Sequence, residues 1–301
     1  MSLRSGIITG KALSARLPMD RARDKMSDSR RIPFITLSEY APRAWVTMAG
    51  CNFRCRGCFS IAKEEVGEAM TVPELLALIS SSAQRQYGER LQEVLLTGGE
   101  PTLDRDYLLR LVRGLKGISD QVTVQSNAHL LSPAFLEQLL EAGMDRLLVD
   151  LKVMDRQRHV WYTGRSNREV LRNIAYASSR VEMVVNVLLI PGIVDHEEIV
   201  RMAEFLRELR PMDLELRINP FRAELSPERM SRTPTDAELE SEARAVREIY
   251  KNTVSSRSCL RESEGGPSKT WITVFPDGRV ERRGLDDYRS KNRQMFKGEM
   301  G

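Results

Sequence analysis

Apolar, β-branched runs alternate along most of the chain with segments that have the 3.6-residue period of amphipathic helices. This alternation is typical of a parallel β-sheet whose strands are joined by crossover helices. The pattern predicts six strands, at residues 44–49, 93–97, 121–125, 146–150, 183–190 and 214–218. We therefore expect an α/β fold in which helices connect successive strands.

Local signals place the ends of several helices. The segment Thr71–Glu74 has the pattern of a capping box with proline in the first turn. A second helix is predicted to begin after Ser132 and to end at Gly143. Asp195 and Thr235 are candidate N-caps of two later helices.

The two ends of the chain differ from this central pattern. Residues 1–32 are rich in Arg, Lys and Ser and poor in large apolar side chains, which predicts a basic, mobile tail. Residues 33–250 are assigned to the β/α unit. Residues 251–301 are assigned to a C-terminal extension, in which TWITVFPDGRVERR predicts a β-hairpin that turns at Asp277-Gly278.

A polar or glycine-rich motif follows each predicted strand. In chain order these motifs are Cys51–Cys58, Gly98–Pro101, Gln125–Asn127, Asp150–Lys152, Pro191-Gly192 and Asn219–Phe221. In a β/α barrel the carboxyl ends of all strands meet on the face that carries active sites. The motifs are therefore expected to converge on one site.

Composition narrows the possible partners and the compartment. The formal net charge is only +4, which permits an acidic partner but does not require one. Nucleic acid is compatible with the basic tail but is not indicated. No apolar run approaches the ~20 residues that span a bilayer, and the first residues lack the apolar core of a secretory signal. We expect a cytoplasmic protein without membrane contact.

Three of the four cysteines lie in one short segment, with the spacing C-x3-C-x2-C at Cys51, Cys55 and Cys58. The fourth, Cys259, lies far downstream and is interpreted as a free buried thiol, with a ligand or transfer role as the alternative. A disulfide framework would use more cysteines in a shorter, secreted chain. The cluster of three therefore favours a metal or catalytic role.

Two kinds of metal site can be built on three cysteines. A structural zinc ion takes four ligands, so zinc would also need Cys259 or one of His129, His159 and His196. A [4Fe-4S] cluster normally takes four thiolates, so three leave one iron open to a substrate or cofactor. The spacing lacks the paired C-x2-C knuckles of zinc sites and favours the cluster. Four cysteines in all leave no set for a second four-cysteine cluster.

The cysteine spacing, together with Gly98-Gly99-Glu100-Pro101 after the second strand, resembles the radical S-adenosylmethionine (radical SAM) superfamily. The resemblance implies a partial (β/α)6 TIM-like barrel with a [4Fe-4S] cluster on the three cysteines. It implies that S-adenosylmethionine binds the open iron, with its methionine at Gly98, Gly99 and Glu100. An electron from the cluster would cleave this cofactor to methionine and a 5′-deoxyadenosyl radical, which abstracts hydrogen from a substrate.

The stretches 150–174 and 188–205 resemble the activating enzymes of glycyl radical enzymes, including pyruvate formate-lyase activating enzyme. The resemblance covers about Trp45 to Phe221. It assigns further cofactor contacts to Ser126, Asn127, Asp150 and Lys152, with Lys152 also counted as catalytic, and it extends the ribose and adenine toward Pro191 and Gly192. The alternative for Asp150 and Lys152 is an ion pair at the strand end or a helix cap.

Three departures from the activating enzymes leave the substrate open. Gly57 stands where those enzymes usually carry an aromatic that packs near the adenine, so we expect Phe53 or Phe59 to supply that packing. Gln125 replaces an aspartate, and LSEYAPRA replaces a D-G-P-G segment upstream of the cysteines.

The leading hypothesis is a radical SAM enzyme that abstracts hydrogen from a protein or peptide, with an electron donor of the ferredoxin or flavodoxin type. One alternative is a radical SAM enzyme that modifies a nucleobase or a small metabolite. The other is a non-enzymatic binding module that zinc stabilises.

Overall fold

The structure is a computed structural model that describes residues 28–209, 214–256 and 270–284. The strands of these ranges are β1 (Ser29–Ile32), β2 (Phe34–Ser38), β3 (Arg43–Met48), β4 (Glu68–Thr71), β5 (Leu91–Gly98), β6 (Ser119–Ser126), β7 (Arg146–Asp150), β8 (Glu182–Leu189), β9 (Leu214–Pro220), β10 (Thr253–Ser255), β11 (Thr270–Val274) and β12 (Val280–Gly284). The α-helices of the same ranges are α1 (Val72–Tyr87), α2 (Arg105–Leu115), α3 (Pro133–Ala142), α4 (Arg156–Thr163), α5 (Arg168–Ala177), α6 (His196–Leu209) and α7 (Asp236–Arg247). All six predicted strands are confirmed, as β3 and β5 to β9.

Ten of the described strands form one sheet, in the order β10-β9-β8-β7-β6-β5-β3-β2-β11-β12. The seven strands from β3 to β10 in this order run parallel to one another. Each new parallel strand is added beside the previous one, which is the winding of a β/α barrel. Among the described strands, β10 and β12 remain at the two edges, so the barrel is partial. The expected α/β fold class is confirmed.

The two faces of the parallel sheet have different chemistry. One face packs with the helices in a single large hydrophobic core. On the other face an apolar band crosses the middle of the sheet, formed by Trp45, Leu95, Leu148 and Val184. Two residues further toward the carboxyl ends, the same face carries a polar row, formed by Thr97, Gln125, Asp150 and Asn186. This alternation separates a water-excluding layer from a polar layer at the strand ends.

The predicted helix signals are present. Thr71 and Thr235 each form a capping box, in which the threonine hydroxyl accepts from the third backbone N–H of the helix. Ser132 caps the start of α3 in the same way, and Gly143 ends it in the left-handed region with φ of 104°. Asp195 directly precedes α6. No helix in the described ranges is long and apolar enough to cross a bilayer.

The structure moves the boundaries that we drew at both ends. Ser29–Ile32, which we placed in the basic tail, is strand β1 and pairs antiparallel with β4. This segment is ordered because Ile32 is fully buried. The sequence did not predict the strand, because one apolar side chain in four residues gives no detectable pattern. The rest of the predicted tail, residues 1–27, lies outside the described residues.

The first described part of the C-terminal extension belongs to the main sheet. Strand β10 continues the parallel series beside β9. The predicted hairpin is confirmed as β11 and β12, and β11 pairs antiparallel with β2. The segment LSEYAPRA, residues 37–44, spans the turn between the antiparallel strands β2 and β3. The strand β2 and the hairpin therefore extend one edge of the parallel sheet, and β10 lies at the opposite edge. Cys259 lies outside the described residues.

Thr71→Ala should lower the free energy of unfolding by about 1 kcal/mol, because the capping box at the start of α1 is lost. Urea denaturation followed by circular dichroism measures this change. The matched control is Ser81→Ala on the exposed side of the same helix, where the hydroxyl bonds only to the carbonyl of Leu78. Equal stability of the two variants would contradict the assigned role of the cap.

Candidate active site

The cysteine loop, residues 49–60, follows β3 and is fastened to the end of α4. The N–H groups of Arg54 and Arg56 donate to the carbonyls of Thr163 (2.8 Å) and Tyr162 (3.0 Å). The last carbonyls of a helix have no partner within the helix, so the loop satisfies groups that α4 leaves free. The helix that follows the Asp150–Lys152 motif thereby holds the backbone on both sides of the second cysteine.

The three cysteines of this loop are free and partly exposed. Burial raises the pKa of Cys55 to about 12, although the charge of Lys152 acts in the opposite direction. Burial also raises the pKa of Cys51, against the N–H of Phe53 that donates to its Sγ (3.4 Å). As free side chains, Cys51 and Cys55 are protonated at neutral pH. A metal that binds them must displace their protons.

Two of the three histidines that could complete a zinc site have polar partners for one ring nitrogen. His159 is fully buried, and its Nδ1 lies 2.7 Å from the carbonyl oxygen of Arg165. His196 pairs with Glu242 (3.0 Å) across α6 and α7. In the ranges that the structure describes, no three Cys, His, Asp or Glu side chains are grouped to hold one metal ion. The arrangement does not favour the zinc alternative.

The glycine motif, Gly98–Pro101, lies directly against the cysteine loop. The φ of Gly98 is +116°, a region that favours glycine, and a Cβ on Gly99 would lie 2.0 Å from the carbonyl oxygen of Gly50. The N–H of Glu100 donates to the same carbonyl (2.8 Å). The two loops therefore meet backbone to backbone, which only glycine permits at the contact.

The side chain of Glu100 connects the loops after β5 and β6. It is 1% exposed, and its carboxylate accepts from the hydroxyl and N–H of Thr102, the hydroxyl of Ser126 (2.7 Å) and the N–H of Asn127 (2.7 Å). Burial raises the pKa of Glu100, and these hydrogen bonds oppose the rise because they stabilise the carboxylate. Four donors thus converge on one buried acid.

Glu100, Ser126 and Asn127, which the sequence assigned to cofactor contacts, form side-chain hydrogen bonds with one another and with the cysteine loop. The Nδ2 of Asn127 donates to Oδ1 of Asn52 (2.7 Å), and its Oδ1 accepts from the N–H of His129 (3.0 Å). All three predicted residues are more than nine-tenths buried. These side chains hold the loops together. The polar groups of the glycine motif that remain available to a ligand are in its backbone.

Charged groups stand next to the cysteines at the end of β7. Thr97 donates to Gln125 (2.9 Å), whose Nε2 lies 3.3 Å from both oxygens of Asp150. The Nζ of Lys152 lies 3.3 Å from Asp150, and 19% of the lysine side chain is exposed. Burial would lower the pKa of Lys152, but the charge of Asp150, followed by that of Cys55, outweighs it and raises the pKa. The strand-end ion pair is present and leaves a protonated amine partly open to solvent.

Phe53 does not supply a free aromatic surface. Its side chain is 2% exposed and packs between the rings of His129 and His159, with centroid distances of 5.5 and 5.7 Å. The expectation that Phe53 packs against an adenine is therefore wrong, because the ring fills the core beneath the cysteine loop. Phe59 is partly exposed.

Aromatic side chains occupy the space beside Gly57. A Cβ on Gly57 would lie 2.8 Å from the ring of Phe221 and 2.9 Å from the hydroxyl of Tyr162. Phe221 follows β9 and Tyr162 belongs to α4, and both are 2% exposed. Phe221 and Tyr162 therefore fill the space in which a side chain at position 57 would lie.

Pro191 and Gly192 form the turn after β8 and line a cavity of about 360 Å³ next to α6 and α7. The hydroxyl of Ser231 donates to the carbonyl of Pro191 (2.7 Å). None of the residues that line this cavity belongs to the cysteine loop or the glycine motif. The cavity therefore includes the predicted residues Pro191 and Gly192 but no residue of the two loops that carry the cysteines and the glycines.

Sequence reasoning missed two residues that join the loops. Asn52 lies between the first two cysteines and accepts the hydrogen bond from the loop after β6. Arg30, on β1, donates to the carbonyls of Ala49, Glu100 and Pro101. The position of Asn52 inside the cysteine motif was a usable signal. No feature of the sequence pointed to Arg30, because it lies among many other basic residues.

The family and relatives of the chain agree with this site. The sequence model of the radical SAM superfamily matches residues 45–206, which is more than half of the chain. A Methanocaldococcus jannaschii protein, described provisionally as a glycyl-radical enzyme activating enzyme, is 32% identical over 57% of this chain and 64% of that protein. The pyruvate formate-lyase-activating enzyme of Streptococcus mutans is 27% identical over 55% of this chain and 66% of that protein. A Methanocella arvoryzae protein, described as a probable GTP 3′,8-cyclase, is 32% identical over 55% of this chain and 52% of that protein.

The chain spans less than two thirds of the length of these relatives. Among solved structures, SuiB of Streptococcus suis, crystallised with its precursor peptide SuiA, superposes with a TM-score of 0.58 at 15% identity. That likeness covers 70% of this chain and 47% of SuiB, and it shows a shared fold. The resemblance inferred from the cysteine and glycine motifs is confirmed: the chain belongs to the radical SAM superfamily, whose enzymes use a [4Fe-4S] cluster and S-adenosylmethionine.

Proposed function

We propose that Cys51, Cys55 and Cys58 bind a [4Fe-4S] cluster and leave one iron for S-adenosylmethionine. The donor set fits this group, because the loop offers three free thiols. Among the described residues no three Cys, His, Asp or Glu side chains are grouped around a single ion, whereas in a cluster each thiolate binds a different iron. Three thiolates are what a cluster with one open iron requires. The observation that carries the proposal is the backbone contact between this loop and the glycine motif, from Glu100 to Gly50.

The glycine motif is proposed to bind the methionine part of S-adenosylmethionine through its backbone. At Gly98 and Gly99 there is no side chain to keep a ligand at a distance. We assign the remaining polar contacts to Asp150 and Lys152, because they form a partly exposed ion pair whose lysine acts on Cys55. Ser126 and Asn127, at the end of β6 and just after it, hold the glycine motif and the cysteine loop in place through hydrogen bonds to Glu100 and Asn52.

When bound, the cluster and S-adenosylmethionine supply the electron and the carbon radical that removes a hydrogen atom from the substrate. The residues of the chain orient and shield this chemistry. The apolar band lies beneath the polar row on the same face of the sheet and forms an apolar floor below the strand ends. Burial raises the pKa of Cys55, and the charge of Lys152 opposes this rise and so favours the thiolate that a metal needs.

We propose a protein or peptide as the substrate. The support is the similarity to the M. jannaschii and S. mutans activating enzymes, together with the stretch 150–174 that carries Asp150 and Lys152. An electron donor of the ferredoxin or flavodoxin type would complete the reaction. The second candidate is a nucleotide or another small metabolite, which the 32% identity to the probable GTP 3′,8-cyclase favours.

Cys55→Ala should abolish cluster assembly and cofactor cleavage together, since one of three iron ligands is removed. Anaerobic reconstitution, iron and sulfide analysis and a dithionite-dependent assay for 5′-deoxyadenosine measure both. The matched control is Cys259→Ala, which should keep the cluster and the cleavage. Cleavage that persists in the Cys55 variant would overturn the ligand assignment.

Lys152→Ala should keep the iron content and weaken S-adenosylmethionine binding about tenfold or more, because a hydrogen bond to a charged partner is lost. Equilibrium dialysis with the reconstituted protein measures the dissociation constant. The control is Lys116→Ala, which removes another ion-paired lysine, bonded to Asp145 (2.9 Å) at the amino ends of the strands. Unchanged affinity in the Lys152 variant would remove that residue from the binding site.

The two substrate classes differ in the origin of the hydrogen atom that is abstracted. Deuterium should appear in 5′-deoxyadenosine when the candidate protein or peptide carries deuterated glycine. Mass spectrometry of the nucleoside reads this transfer, with the undeuterated polypeptide as control. Transfer from a deuterated nucleotide and none from any polypeptide would support the second candidate instead.

A further inference from the structure

The guanidinium of Arg30 lies between the two motifs that define the site. Its Nη2 donates to the carbonyls of Ala49 (3.0 Å) and Glu100 (2.5 Å), and its Nη1 donates to that of Pro101 (2.6 Å). The first carbonyl begins the cysteine loop, and the other two belong to the glycine motif. One planar group therefore bonds both loops at once.

The surroundings of Arg30 are unusual for a residue that only adds stability. The residue is 7% exposed, and among the described residues no carboxylate lies within ion-pair distance of its guanidinium. Burial lowers the pKa of Arg30, while the charges of Glu100, Asp104 and Glu65 oppose this. A buried charge without an ionic partner is costly, and an apolar side chain of similar volume is often no less stabilising.

The planar shape of the Arg30 guanidinium allows it to fix the positions of the carbonyls that it bonds. A guanidinium presents its N–H donors in a fixed planar fork, so carbonyls bonded to it are held at set positions. On its other side the glycine motif is held by the Glu100 carboxylate, which accepts from Ser126 and Asn127. The motif is therefore bonded on two sides, to the cysteine loop through Arg30 and to the loop after β6 through Glu100.

We propose that Arg30 is a positioning residue that sets the distance between the glycine motif and the three cysteines. The inference rests on the proposed function, because it gives the two motifs one shared ligand, S-adenosylmethionine, which must reach the open iron and the glycine backbone together. Arg30 touches neither group in this account. It acts through the carbonyls of Ala49, Glu100 and Pro101.

The test compares Arg30→Met and Arg30→Lys with the control Arg31→Met in the full-length, reconstituted protein. Arg31 is the next residue of β1 and is exposed, and its guanidinium donates to the carbonyl of Gly67 (2.7 Å), outside both motifs. Its backbone carbonyl accepts from the N–H of Ala49 (3.0 Å), a bond that the substitution leaves in place. For each protein four quantities are measured: iron and sulfide content, the dissociation constant of S-adenosylmethionine, KM against kcat for dithionite-dependent cleavage, and the urea midpoint.

Arg30→Met is expected to keep about four irons per chain. Its dissociation constant and KM for S-adenosylmethionine should rise about tenfold or more, because the two motifs are no longer held at the spacing that the shared ligand requires. Arg30→Lys should fall between this variant and the wild type, since a lysine keeps the charge but not the planar fork. Arg31→Met should match the wild type in all four quantities. If Arg30→Met does not fold, Arg30→Lys decides.

Wild-type affinity for S-adenosylmethionine in a cluster-loaded Arg30 variant would overturn the inference. So would affinity that falls only in step with the urea midpoint and the iron content, since that pattern means general structural support. Failure of the proposed function is a different result: the wild-type protein itself would then assemble no cluster and cleave no S-adenosylmethionine.

Discussion

The close contact of two backbones constrains the whole site. A Cβ at Gly99 would lie 2.0 Å from the carbonyl oxygen of Gly50 and 2.3 Å from that of Ala62, so no side chain fits there. The loops after β3 and β5 can therefore touch, and Glu100 donates its N–H across the contact. Neighbouring parallel strands bring the loops together, but the glycines let them meet. The spacing between the cysteine loop and the backbone of the glycine motif follows from this contact.

Buried polar groups keep that contact in one geometry. The carboxylate of Glu100 accepts four hydrogen bonds on one side, and the guanidinium of Arg30 donates three on the other. Such groups are costly to bury unless their partners are in place, so a displaced loop would leave unpaired polar atoms. Lys152 and Asp150 stay partly exposed on the adjacent strand end. The site thus combines a rigid inner frame with ionised groups that a ligand can reach.

The sequence predicts the strands and helices of the fold better than the side-chain contacts of the site. Buried parallel strands such as β7 and β8 are continuous apolar runs, so their positions could be predicted closely. The segments SRRI of β1 and TVS of β10 are too short to show a period. The hydrogen bonds among Glu100, Ser126 and Asn127 could not be predicted, because their partners come from other loops and only the fold brings them together. Arg30 was missed because burial alone separates it from the other arginines near it.

The most direct test of the account is anaerobic iron and sulfide analysis of the reconstituted wild-type protein, followed by an assay for 5′-deoxyadenosine with dithionite. The account predicts about four irons and four sulfides per chain, together with reductive cleavage of S-adenosylmethionine. Zinc in place of iron, with no cleavage, would contradict it and would mean that the three cysteines only stabilise a loop.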